Sequence, residues 1–113
     1  MATLTDLAKL DGVVLAFEFA PDGRLRCHEA NTETSPEMAA MAAQFCASVT
    51  MNFNTLAGAF SKLSSMPWVP QQGWAYSGGE YTVAIGGNGY RGVFIKTANA
   101  DFNRLFQMLV GNL

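Results

Sequence analysis

The run MAAMAAQFCASVTMNFNTLAGAFS, Met38 to Ser61, spans 24 residues without a single charge. Ser35-Pro36-Glu37 stands just before it and reads as a helix start, with Ser as N-cap, Pro at the first helical position and an acid at the positive end of the dipole. A soluble helix ordinarily keeps a charged stripe toward water. One that lacks it is covered by protein around most of its circumference, which 113 residues do not achieve alone. The stretch therefore predicts a long helix and a partner, most simply a second copy of the chain. At 100° per residue Met38, Phe45, Val49, Phe53, Leu56, Phe60 and Leu63 form one stripe suited to covering a sheet. Opposite lie Ala40, Ala43, Ala47, Met51, Asn54, Gly58 and Ser61, a seam of mostly small residues that would let another helix approach closely. The expectation is a core stripe and a dimer seam. Continued to Ser65, such a helix would be about 45 Å long. A compact domain of this size has a radius of gyration of only about 13 Å, so the helix either protrudes against a partner or bends near Thr50 to Thr55.

The rest of the composition points the same way. Charged residues make up 14% of the chain and apolar residues 50%, where soluble domains average about 25% charged. Residues 1–113 fit one domain with one core. A net charge of -2, with seven Lys and Arg scattered singly, offers no basic stripe for nucleic acid. Met1 leads into Ala-Thr-Leu-Thr-Asp with no basic and apolar leader, so the reading is cytoplasmic. The polar residues Gln44, Ser48, Thr50, Asn52, Asn54 and Thr55 and the absence of basic flanks argue against a membrane span. Cys27 and Cys46 are read as reduced.

Around the long helix the remaining elements fall into place. Thr3 to Leu10 predicts a short helix that stops at Asp11-Gly12. Val13, Leu15, Phe17 and Phe19 alternate with Val14, Ala16, Glu18 and Ala20 as a strand does. Pro21-Asp22-Gly23 is the turn into a return strand, Arg24 to Ala30, with Glu18 facing roughly Arg26. Pro67 ends the long helix. Trp74 to Tyr76, Tyr81 to Ile85 and Tyr90 to Lys96 follow as strands joined by Gly-rich hairpins. Asn99 is expected to cap a last helix carrying Phe102, Leu105, Phe106 and Leu109 on one side and ending at Gly111. The order is α-β-β-α-β-β-β-α, an α+β fold.

Leu7-Ala8-Lys9-Leu10-Asp11-Gly12-Val13, the strand running into Pro21-Asp22-Gly23, the Ala-rich helix and the Gly-punctuated meander together resemble the roadblock/LC7 family, the dynein light chain roadblock type, in a prokaryotic form. The likeness covers nearly the whole chain. It implies a profilin-like, three-layer arrangement with a five-stranded antiparallel sheet, the long helix on one face and the terminal helices on the other. It also implies a two-fold homodimer in which the long helices meet, and a non-enzymatic scaffold or regulator, often of small Ras-like GTPases. The low charge of the long helix and the Pro67-Trp68-Val69-Pro70 insertion depart from the commoner pattern.

Chemistry finds little footing. His28 is the only histidine, and Cys27 beside it points to the other face of the same strand, a poor arrangement for a thiolate and base. Cys46 reads as packing. Gly86-Gly87-Asn88-Gly89 leads into a strand, where a phosphate loop leads into a helix, so it reads as a hairpin. Pro67-x-x-Pro70 lacks a basic anchor and reads as a stiff connector. Catalytic, metal and cofactor residues are therefore expected to be none. Trp68, Trp74 and Tyr76, with Tyr81 nearby, are open to two readings, core or an interface for another protein. Two function classes remain: a homodimeric scaffold or regulatory module, and a small-molecule sensor or carrier holding a ligand between the sheet and the long helix.

Overall fold

The structure is a computed structural model and describes residues 2–31 and 34–110. Five antiparallel strands run in the order β2-β1-β5-β4-β3, with β1 at Val13–Phe19, β2 at Leu25–Ala30, β3 at Trp74–Gly78, β4 at Tyr81–Gly86 and β5 at Arg91–Lys96. Helix α2, Pro36–Ser64, covers one face, and helices α1, Leu4–Ala8, and α3, Phe102–Val110, cover the other. The expected order and α+β class are the observed ones. Gly111, expected to end α3, lies outside the described residues.

Each face has its own cluster. Leu7, Ala8, Val13, Ala16, Ala84, Val93, Ile95, Leu105 and Leu109 pack between the sheet and the short helices. Leu15, Phe17, Phe19, Trp74, Val83 and Ile85 meet Ala43, Cys46 and Ala47 on the α2 side. Val13 belongs to the first cluster and Leu15 to the second, so the strict alternation expected from Val13 to Phe19 breaks at its start. An irregularity between Val13 and Leu15 in the pairing with β5 inserts the extra residue. A second irregularity, between Glu18 and Phe19, pairs Glu18 with Cys27 in place of the expected Arg26.

Local sequence explains the element ends. Thr3 caps α1 in a reciprocal box with Asp6, whose carboxyl is held below its usual range chiefly by the Thr3 backbone N–H. Asp101, not Asn99, caps α3: its Oδ1 accepts from the Arg104 N–H at 3.2 Å. Asn99 instead closes a short 3-10 turn, Thr97–Asn99, that separates β5 from α3. Ser35 accepts the Met38 N–H, and Ser65 ends α2 in the left-handed conformation. Gly89, at φ 101°, lies so close to α2 that a Cβ would meet Thr50 Cγ2 at 2.5 Å.

Helix α2 is one uninterrupted helix of 29 residues, about 43 Å at 1.5 Å per residue, in a molecule 45 Å long. It does not bend. From Met51 to its end no residue is buried, so its second half projects past the sheet it covers.

A candidate interaction face along the long helix

The residues of α2 that reach the sheet are small: Ala39, Ala42, Ala43, Cys46, Ala47 and Thr50 are its buried positions. This corrects the assignment of faces. Ala43 and Ala47, expected in a dimer seam, lie beneath the helix against Leu15, Phe17 and Ile85. The physical reason is distance, because strands β1 and β4 already bring Leu, Phe and Ile to the contact and only small residues let the helix axis sit close above them. The large stripe expected in the core faces outward: Met38 is 62% exposed, Phe45 56%, Leu56 61% and Leu63 84%, with Phe53 and Phe60 also open, and Met41, outside that stripe, is exposed beside it. Val49 alone of that stripe is half-buried.

The other seam positions scatter. Ala40 is half-buried, Met51 is exposed, and a Cβ at Gly58 would have open space. Asn54 and Ser61 hold the returning chain: Asn54 Oδ1 accepts from Gln71 Nε2 at 2.8 Å, and Ser61 Oγ accepts the Trp68 N–H at 2.9 Å. Gln71 Nε2 also donates to the Thr50 carbonyl, and Trp68 Nε1 donates to Ser64 Oγ at 3.2 Å. The segment from Met66 to Gly73 is thereby strapped back along the projecting half of α2. Between helix and strap runs an open apolar groove of about 550 Å³, walled by Phe53, Leu56, Phe60, Leu63, Trp68 and Trp74.

The three aromatics expected at a partner interface separate. Trp74 is 8% exposed, stands in the α2-side cluster and donates Nε1 to Thr50 Oγ1 at 2.8 Å, so it is a core residue. Trp68, half exposed, tilts over the Phe60 ring with centroids 4.9 Å apart. Tyr76 is 63% exposed on β3, an edge strand. Sequence reasoning missed Thr50, which donates to the Gly89 carbonyl at 2.8 Å while accepting from Trp74. Its signal was its position, eleven residues after Ala39 in the run of small residues.

Cys27 is exposed on edge strand β2, where partial burial and the neighbouring Glu18 carboxylate raise its thiol pKa. Burial pushes the Cys46 thiol up to about 12. Both shifts disfavour the thiolate, the form a nucleophile or metal ligand needs. Among the described residues no three His, Cys, Asp or Glu side chains stand together as metal ligands, and no helix is long and apolar enough to cross a membrane.

The architecture is shared with solved structures of low sequence identity. A roadblock/LC7 domain from Streptomyces avermitilis superposes with a TM-score of 0.70 at 12% identity, covering 93% of this chain and 83% of that one. Myxococcus xanthus MglB superposes with a TM-score of 0.60 at 15% identity, covering 96% and 80%. The roadblock/LC7 fold is thus the fold of this chain. No curated protein matches its sequence. Residues 3–110 match a single family along nearly the whole length, and the chain belongs to that family, described as uncharacterized conserved protein (DUF2173).

Proposed function

We propose that the protein is a non-enzymatic homodimeric scaffold or regulatory module whose output is the binding of another protein, a class that includes small Ras-like GTPases. The observation that carries this reading is the outward apolar stripe of α2. Met38, Met41, Phe45, Leu56, Phe60 and Leu63 are half or more exposed, and a contiguous exposed apolar band of this kind marks an interface. A standard interface takes about 800 Å² from each partner, a scale that a helix about 43 Å long can supply. The sheet edge at β3, with Tyr76 exposed, remains for a third protein.

The sensor reading loses its expected place. The contact between sheet and helix is packed by Ala43, Cys46 and Ala47 against Leu15, Phe17, Phe19 and Ile85, and the groove opens beyond it, toward solvent.

Light scattering tests the dimer. Phe45→Glu together with Leu56→Glu places two carboxylates on exposed positions, where they leave the fold intact but strand charge in the contact. The native protein is expected at twice the chain mass and the double variant at the chain mass, with unchanged circular dichroism. A native monomer, or a double variant that stays dimeric, overturns the reading.

A further inference from the structure

The face opposite α2 carries a second pocket, of about 310 Å³, where two loops meet beside the start of α3. One loop, Lys9 to Gly12, joins α1 to β1, and the other, Thr97 to Asp101, joins β5 to α3. They are locked together. The Lys96 N–H donates to the Gly12 carbonyl at 3.0 Å, and Gly12, at φ 84°, lies so close to Asn99 that a Cβ would meet the Asn99 Cβ at 2.6 Å. The pocket is therefore pre-formed, and its volume stands at the lower end of the range for ligand sites, about 300–1,000 Å³.

The lining divides by chemistry. Leu10, Ile95 and Leu105 make an apolar floor, and around it stand two cations, Lys9 and Arg104, and two carboxylates, Asp11 and Asp101. In a chain with only seven Lys and Arg and nine Asp and Glu, that is a local concentration of both signs. The four do not neutralise one another. Among the described residues the one ion pair is Arg24 with Asp22, and Asp101 uses one oxygen on the α3 cap, while the side chains of Lys9, Asp11 and Arg104 make no hydrogen bond within the chain. A simple anion would meet two carboxylates here and a simple cation two positive side chains, whereas a molecule carrying both charges finds a complement for each. We infer that the pocket binds a free aliphatic α-amino acid, its carboxylate held by Lys9 and Arg104, its ammonium by Asp11 and Asp101, and its side chain on the apolar floor. Asn99, at the same rim, can donate to the one group and accept from the other. A peptide end brings only one of the two charges. Since a single exposed ion pair contributes little, recognition depends on engaging both signs at once.

The pocket lies away from α2, so the inference stands apart from the proposed dimer and is tested on the native protein whatever its subunit number. L-leucine is the probe, followed by the backbone amide shifts of the labelled protein in NMR. Saturable shifts are expected in Lys9–Gly12 and Asn99–Leu105, with a Kd below about 1 mM. 3-Methylbutylamine, which lacks the carboxylate of leucine, and 4-methylpentanoate, which lacks its ammonium, should each bind at least about tenfold more weakly. Arg104→Gln and Asp11→Asn change exposed side chains, and with unchanged circular dichroism each should weaken leucine by a similar factor. Absence of a saturable shift, shifts centred on other residues, an analogue that binds as tightly as leucine, or folded variants of undiminished affinity would each overturn the site.

Discussion

Thr50 shows how much one side chain holds. It is fully buried where α2 leaves the sheet, and its hydroxyl satisfies the Gly89 carbonyl and the Trp74 indole at once. Thr50→Val keeps the shape and removes both partners, and each buried group left unpaired costs about 1–3 kcal/mol. We expect urea unfolding to show a loss of about 2 kcal/mol or more, and an unchanged midpoint would mean the hydroxyl is dispensable. The two cysteines make a different prediction. Cys46 is enclosed and Cys27 is open, so a thiol reagent at pH 8 should label one site in the folded protein and two in urea. Both thiols have folded pKa values raised above the ordinary 9.0, that of Cys46 to about 12. The folded state therefore holds these protons more tightly than the unfolded one, and the stability linked to them is complete below pH 9 and is lost as pH rises from 9 toward 12. A Cys46→Ala variant should lose less stability over that interval than the parent.

At the scale of elements, the order of helices and strands was legible because each has a local signature: the Ser-Pro-Glu start, the Pro-Asp-Gly turn, the alternation of β1. What was not legible was which side of α2 meets the sheet. A pattern argument gives the largest residues to the core, since they bury the most apolar area. Here the sheet contributes the bulk and the helix contributes Ala39, Ala42, Ala43, Cys46 and Ala47, so two positions of what looked like a seam for another chain, Ala43 and Ala47, face inward. Ala43 and Ala47, expected in the seam, were therefore placed on the wrong side of the helix. Trp74 was open between core and surface for a related reason: its indole N–H needs a buried acceptor, and Thr50 is 24 residues away in sequence. Ala47→Leu tests the close contact. Overpacking typically costs about 1–3 kcal/mol, and thermal or urea unfolding should show a loss in that range without any change in subunit number. A variant as stable as the parent would mean that the helix has room to move.

At the scale of the molecule, the two ends of the chain are held together by Arg91. Its guanidinium is buried on β5 and donates to the Ala2 carbonyl at 2.8 Å and to the Met108 and Leu109 carbonyls at 3.1 and 2.8 Å. The last two belong to the final turn of α3, where carbonyls lack helical partners and a cation meets the negative end of the dipole. Its Nε has no partner among the described residues. Arg91→Met removes a buried charge along with its hydrogen bonds, so the global cost is modest, about 1–3 kcal/mol. The effect should be local: amide exchange in α3 is expected to quicken well beyond that in β1 and β5. Uniform acceleration across the sheet would show that Arg91 serves the whole core instead.

The projecting half of α2 also bears on how long an unpaired subunit lasts. Between Met51 and Ser64 the helix is held to its own chain by the few hydrogen bonds of the Met66–Gly73 strap and two aromatic contacts, Phe53 with Trp74 and Phe60 with Trp68. A segment so thinly packed opens at low free energy, and a protease cuts what opens. In the proposed dimer, pairing would close that vulnerability, because whatever binds only the closed form suppresses opening by mass action. On the proposed dimer, a subunit without its mate would expose its own cleavage site. Limited proteolysis of the Phe45→Glu, Leu56→Glu variant should cut first between Met51 and Gly73, and faster than in the parent; equal rates would show that pairing does not protect the segment.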